Sequence, residues 1–136
     1  MGKFTVGPDS IGVGSVVLVT FPFSNLPARI ATQSVAGGKG QKIRPALVLA
    51  NAEFDNLILC QITSKPYTSK IAICIKSKDF TSGNLPVVSY VRPDKLFTAD
   101  TTIIKNTVGR LTPKIKNMIL RRVRELFIPS RVSTIF

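Results

Sequence analysis

Apolar positions in this chain fall in short runs separated by turn-forming residues, the spacing of strands rather than of long helices. Gly14 to Phe21, GSVVLVTF, is β-branched and apolar on both faces, as in a buried strand, and Pro22 ends it. A second run, Ala46 to Ala50, follows Pro45, which biases Arg44 toward an extended backbone. Leu57 to Thr63, Ile71 to Ile75 and Val87 to Val91 read as further strands, with Ile71, Ile73 and Ile75 alternating against Ala72 and Cys74. Asn51 to Asn56 makes a turn, Ser64 to Ser69 a polar loop, and DFTSGNLP is dense in turn residues. Short strands punctuated this regularly predict a small closed or half-closed barrel.

Near its end the chain changes period. Leu111, Ile115, Met118, Ile119, Val123, Leu126 and Phe127 recur at helical spacing, with Thr112 as N-cap and Pro113 at the first helical position. This predicts an amphipathic helix packed on the barrel, with Lys114, Lys116, Arg121, Arg122 and Arg124 outward and Pro129 as its stop. Residues 1–13 read as a loose lead-in and 129–136 as a tail, leaving 14–128 as one domain. Phe23 to Gln41 is a long Gly-rich loop whose length points to a lid or a disordered segment.

Charge then narrows the partners. Lys and Arg number 19 against 7 Asp and Glu, a net +12, which favours a polyanion. No apolar run is long enough to span a bilayer and no signal-peptide pattern opens the chain, so a soluble cytoplasmic protein is expected. Cys60 and Cys74 are too few for a disulfide framework or a zinc site and are expected as buried thiols. Histidine is absent, which removes the commonest acid and base at neutral pH, and the acidic residues show no paired spacing for a two-metal site. No cofactor or metal is expected. The Gly37–Lys42 stretch is no P-loop, because no Gly-Lys-Ser/Thr run opens a helix there.

Three stretches place phosphate-binding or reactive residues at strand ends. They are KIRPALVLAN with Lys42 and Arg44, ILCQITSK with Thr63, Ser64 and Lys65, and SYVRPDKLF with Arg92, Asp94 and Lys95. A forked, permanently charged Arg44 on a rigid strand suits a phosphate held in fixed geometry. Metal-free cleavage of a phosphodiester needs a base for the attacking hydroxyl's proton, cations for the phosphorane and an acid for the leaving oxygen. Asp94 is the candidate base, Arg44 the clamp, and Thr63 a donor to a non-bridging oxygen. Tyr67 and Tyr90 are candidates for base stacking. Each has a plainer account: Arg44 solvated at a strand edge, Thr63 and Ser64 entering a turn, Arg92 and Asp94 as a local ion pair, and the tyrosines as amphipathic packing.

Taken together, GSVVLVTFPFSNL, RPALVLAN, ILCQITSK, DFTSGNLP, SYVRPDKLF, VGRLTP and the closing helix resemble the PemK/MazF-type toxins of toxin–antitoxin pairs, from about Gly14 to Phe127. The resemblance implies a mainly β (α+β) fold, an SH3-like barrel with a C-terminal helix, assembled as a homodimer. It also implies a ribosome-independent endoribonuclease that cuts single-stranded RNA such as mRNA at a short preferred sequence, silenced by an antitoxin with an acidic segment. By position Arg44 matches the family's strand arginine, Thr63 and Ser64 its Thr/Ser pair, and Arg92 with Asp94 the Arg-x-Asp of the PemK branch. That branch also uses a histidine in the first loop, which this chain lacks. Two other readings remain open: a barrel of this fold that poisons gyrase by protein contact, and a passive nucleic-acid-binding module.

Overall fold

A computed structural model describes residues 11–21, 42–65 and 69–128, so the loop from Phe23 to Gln41, Tyr67, most of the lead-in and Pro129 with the tail lie outside the described residues. Seven strands are described: β1 (Ser15–Phe21), β2 (Lys42–Asn51), β3 (Asn56–Thr63), β4 (Ile73–Ile75), β5 (Phe80–Gly83), β6 (Ser89–Asp100) and β7 (Ile104–Leu111). They form one sheet in the order β4-β6-β3-β2-β1-β7-β5, antiparallel throughout. The sheet curls into a half-barrel closed by one helix, α1 (Pro113–Glu125).

The central strands are apolar on both faces because each face has its own core. On one, Val16, Leu47, Cys60, Ile62 and Val91 pack with Ile115 and Ile119 of α1. On the other, Val17, Val19, Ala46, Val48, Leu57, Leu59 and Ala99 form a second cluster, flanked by Phe21 and Phe97 edge-to-face at 4.9 Å. Each such aliphatic side chain removed from water contributes about 1.5–3 kcal/mol. Registers Leu47↔Cys60 and Ile62↔Val91 keep the two sets apart across β2, β3 and β6.

Helix α1 starts as its sequence dictates: Thr112 Oγ1 accepts from Ile115 N at 3.4 Å and Pro113 occupies the first turn. Its apolar stripe is narrower than the periodicity predicts. Met118, on the stripe's flank, is exposed, and Phe127 lies past the helix end in solvent. Arg122, expected outward, is half-buried, because seven positions bring it back to the face of Ile115; its Nη1 donates to the Ile71 carbonyl at 3.4 Å.

Other boundaries also move. Only Ile73–Ile75 of the predicted fourth run is strand, and Cys74 is exposed rather than buried, since Ile73 and Ile75 take the inward positions on this edge strand. The run predicted over Val87 to Val91 begins at Ser89 and continues to Asp100 through Pro93. A strand tolerates that proline because the register jumps from Cys60↔Leu96 to Gln61↔Arg92, which leaves Pro93, Asp94 and Lys95 outside the ladder as a bulge. The DFTSGNLP stretch holds strand β5, whose Gly83 (φ 68°) passes so close to β7 that a Cβ there would collide with the Val108 carbonyl. The described end of the lead-in is not loose: Gly12 N donates to Ser15 Oγ at 3.1 Å and Ser15 N to the Gly12 carbonyl at 3.0 Å.

Candidate nucleic-acid interface

Along β2 and β3 the second core gives way to polar groups on the same face. Val48 and Ala46 lead to Arg44 on β2, and Leu59 leads to Gln61 and Thr63 on β3, in a register that pairs Ala46 with Gln61. On the other side of β3, Gln61 pairs with Arg92 and Thr63 with Tyr90. Strand alternation therefore sets Arg44, Gln61, Thr63 and Arg92 on one rigid patch. No loop is needed to bring them together.

These residues line a cavity of about 810 Å³ that also takes in Ser64, Lys65 and Lys95. Most of its remaining wall is apolar, with Leu18, Ile43, Pro45, Leu85, Pro86 and Val87, of which Ile43 and Val87 are more than half exposed. Cationic donors beside an apolar wall match what a nucleotide strand presents, phosphates and base faces. Of the predicted site residues, Arg44, Thr63, Ser64, Lys65, Arg92 and Lys95 meet here. Lys42, at the exposed start of β2, half-buried Tyr90 and Asp94 are not in the lining, and Tyr67 lies outside the described residues.

The arginines are held differently. Arg44 is half-buried, with its Nε shielded from solvent. Arg92 is tethered to Asp94: its Nε lies 3.4 Å from Oδ1 and its Nη2 donates to Oδ2 at 3.5 Å. These contacts are long, and Nε is too poorly aligned for a hydrogen bond although it is buried. A buried guanidinium nitrogen without an acceptor gains from an incoming oxyanion. With the Asp94 side chain 38% exposed, the ion pair contributes at most about 1 kcal/mol and releases easily. Thr63 Oγ1 accepts from Lys65 N at 3.0 Å and donates to the Lys65 carbonyl at 3.3 Å, so the turn reading describes its resting state. The longer of those two bonds is the one a phosphate oxygen would replace.

Beneath the bulge lies Cys60. Burial pushes its thiol up from 9.0 to about 12, and the Asp94 carboxylate adds to the shift. It is a core residue, not a nucleophile. Among the described residues no three His, Cys, Asp or Glu side chains are grouped to hold a metal ion, and no helix is long and apolar enough to cross a membrane. Sequence reasoning missed Gln61 and the apolar wall, although Gln61 stands two residues from Thr63 and so carries the period-2 signal of the same face.

A second cavity, of about 640 Å³, lies at the start of α1 between Lys78, Lys114, Arg121, Ile115 and Met118.

Comparison with known proteins adds to this geometry. A family described as the PemK-like, MazF-like toxin of type II toxin–antitoxin systems matches residues 14–127. No curated protein matches the sequence. Among solved structures, a MazE–MazF complex of Deinococcus radiodurans is similar over 84% of this chain and 92% of its own, at 18% identity and a TM-score of 0.59. An endoribonuclease in complex with its cognate antitoxin, from a Mycobacterial species, is similar over 82% and 87%, at 17% identity and a TM-score of 0.53. At these identities the likeness is one of fold.

Proposed function

The chain belongs to the PemK-like, MazF-like family of type II toxins, and from that premise we propose that it is a metal-independent endoribonuclease of the cytoplasm that cuts single-stranded RNA at a preferred sequence. The observation that carries the reading is the convergence of Arg44, Thr63, Arg92 and Lys95 on one groove with an apolar wall. In this mechanism the 2′-hydroxyl attacks the adjacent phosphorus, its oxygen forms the new bond, and the bond to the 5′-oxygen breaks, that oxygen taking up a proton from water, to leave a cyclic phosphate and a free 5′-hydroxyl. Arg44 and Arg92 hold the non-bridging oxygens as negative charge grows there, the term that generally dominates such catalysis. Thr63 turns its hydroxyl from the Lys65 carbonyl to the same oxygens. Asp94, tied to the groove through Arg92, takes the 2′-hydroxyl proton once the phosphate has drawn Arg92 away. Ser64, Lys65 and Lys95 track the RNA backbone, together with Lys42.

The partners proposed are RNA, an antitoxin whose acidic segment competes for the same cations, and a second copy of the chain. Met118 and Phe127, apolar and exposed on and just past α1, support a protein partner.

The test is incubation of the purified protein and Arg44→Ala with mixed single-stranded RNA in EDTA, followed by mapping of the new ends. Discrete cuts bearing cyclic phosphate, absent from the variant, are the expected result. Bound but uncut RNA points to a binding module instead, and neither cutting nor binding points to a poison acting by protein contact.

A further inference from the structure

We propose that Gln61 reads the identity of one base at the RNA cut site; the proposal deepens the nuclease reading above and rests on it. Arginines and lysines in the groove grip phosphate, which every nucleotide carries, so they fix register without selecting sequence. Selection needs donors or acceptors held in fixed positions against a base edge, and a carboxamide carries one of each. Gln61 supplies both from the middle of β3, between Ala46 on β2 and Arg92 on β6.

Its surroundings point the same way. The side chain is half-buried, and among the described residues no hydrogen bond is made by its carboxamide. On the same face of β3, Leu57 and Leu59 are core, so Gln61 is the first polar position after the second core ends. An amide that meets only solvent at such a boundary can exchange it for a ligand edge that pairs with both its donor and its acceptor. Thr63 is less suited to that task, since its hydroxyl is engaged at both ends by Lys65. Ile43 and Val87, each more than half exposed along the cavity, give a base an apolar surface to lie against while its edge meets the amide. A single-stranded RNA offers such edges, because its bases are free to splay.

The experiment maps cut sites for the full chain, Gln61→Leu and Gln61→Glu on a randomised single-stranded RNA in EDTA, with thermal melting of each protein alongside. Wild type is expected to prefer one base at one position. Gln61→Leu keeps cutting but loses about tenfold of discrimination at that position alone. A carboxylate only accepts, so Gln61→Glu raises cleavage at cytosine over uracil there by about tenfold, through the cytosine amino group. Unchanged preference in both variants overturns the proposal. So does loss of all cutting in folded variants, which would assign Gln61 to the chemistry. Should Gln61→Leu fail to fold, the near-isosteric Gln61→Glu decides alone. If wild type itself cuts nothing, the nuclease reading has failed, an outcome distinct from wild-type cutting with Gln61 indifferent.

Discussion

The β2–β3 hairpin has two ends of opposite character. At the open end Arg44 and Thr63 stand on regular strand, with Lys42 and Lys65 beside them. At the closed end the chain turns through Phe54 (φ 60°) and Asp55 (φ 61°), with Asn56 N donating to the Glu53 carbonyl at 3.2 Å. Two consecutive left-handed residues make a type I′ turn, a conformation in which Asn-Gly is far commoner than Phe-Asp. Phe54 is 86% exposed, so its side chain gains little burial to set against a strain of about 1–2 kcal/mol. Charge follows the same division, with Glu53 and Asp55 at the turn, and Asp100 on β6, whose neighbour Thr101 N donates to the Asp55 carbonyl at 3.2 Å. Strain sits at the end without the groove, and the groove is assembled from unstrained strand. A rigid clamp needs no distorted backbone when register alone aligns its donors.

Three measurements break or sharpen that contrast, the largest first. Leu59→Ala, in the core shared by both ends, should lower unfolding stability by about 2–5 kcal/mol in a denaturant titration. Arg44→Ala should leave the melting temperature close to wild type and cost about a hundredfold in cleavage rate. Phe54→Asn with Asp55→Gly should do the reverse, gaining about 1 kcal/mol of stability with cleavage unchanged. A fall in cleavage with the new turn would show that the two ends are coupled.

The smallest effect concerns the thiols. Cys74 should label quickly with a thiol reagent in the native state, and Cys60 only on unfolding. Because the folded state holds the Cys60 proton up to about 12 against an ordinary 9.0, its contribution is complete below pH 9 and is lost as pH climbs toward 12. Cys60→Val should remove that portion of the alkaline slope, measured as melting temperature against pH.

Much of this molecule was legible in its sequence. The runs at β1, β2 and β3 announce themselves because both faces are buried, and the start of α1 is written in Thr112 and Pro113. Strand β7 was not, since IKNTVGRL mixes Lys, Asn, Gly and Arg and owes its strand state to pairing with β1 and β5 rather than to pattern. Pro93 hid the length of β6, because a proline argues against a strand unless a bulge absorbs it. At the groove, charged residues stood out by type. Ile43 and Val87 did not, because apolar residues bordering strands look like core until the fold leaves them exposed. Asp94 was found, but its place on the bulge, outside the cavity lining, depends on a register shift that no local spacing encodes.

That bulge has a consequence for descent as well as for chemistry. Pro93 is buried and pins it, while Asp94 and Lys95 project from a segment that contributes nothing to the β3–β6 ladder. Substitutions at these two positions leave every cross-strand pair in place, so a lineage can vary the charge at the groove rim without re-folding the sheet. Gln61, by contrast, stands inside the ladder, paired through its backbone on both sides. The sheet thus tolerates substitution at the rim as at the floor, and what limits Asp94 is its proposed part in the chemistry rather than the fold.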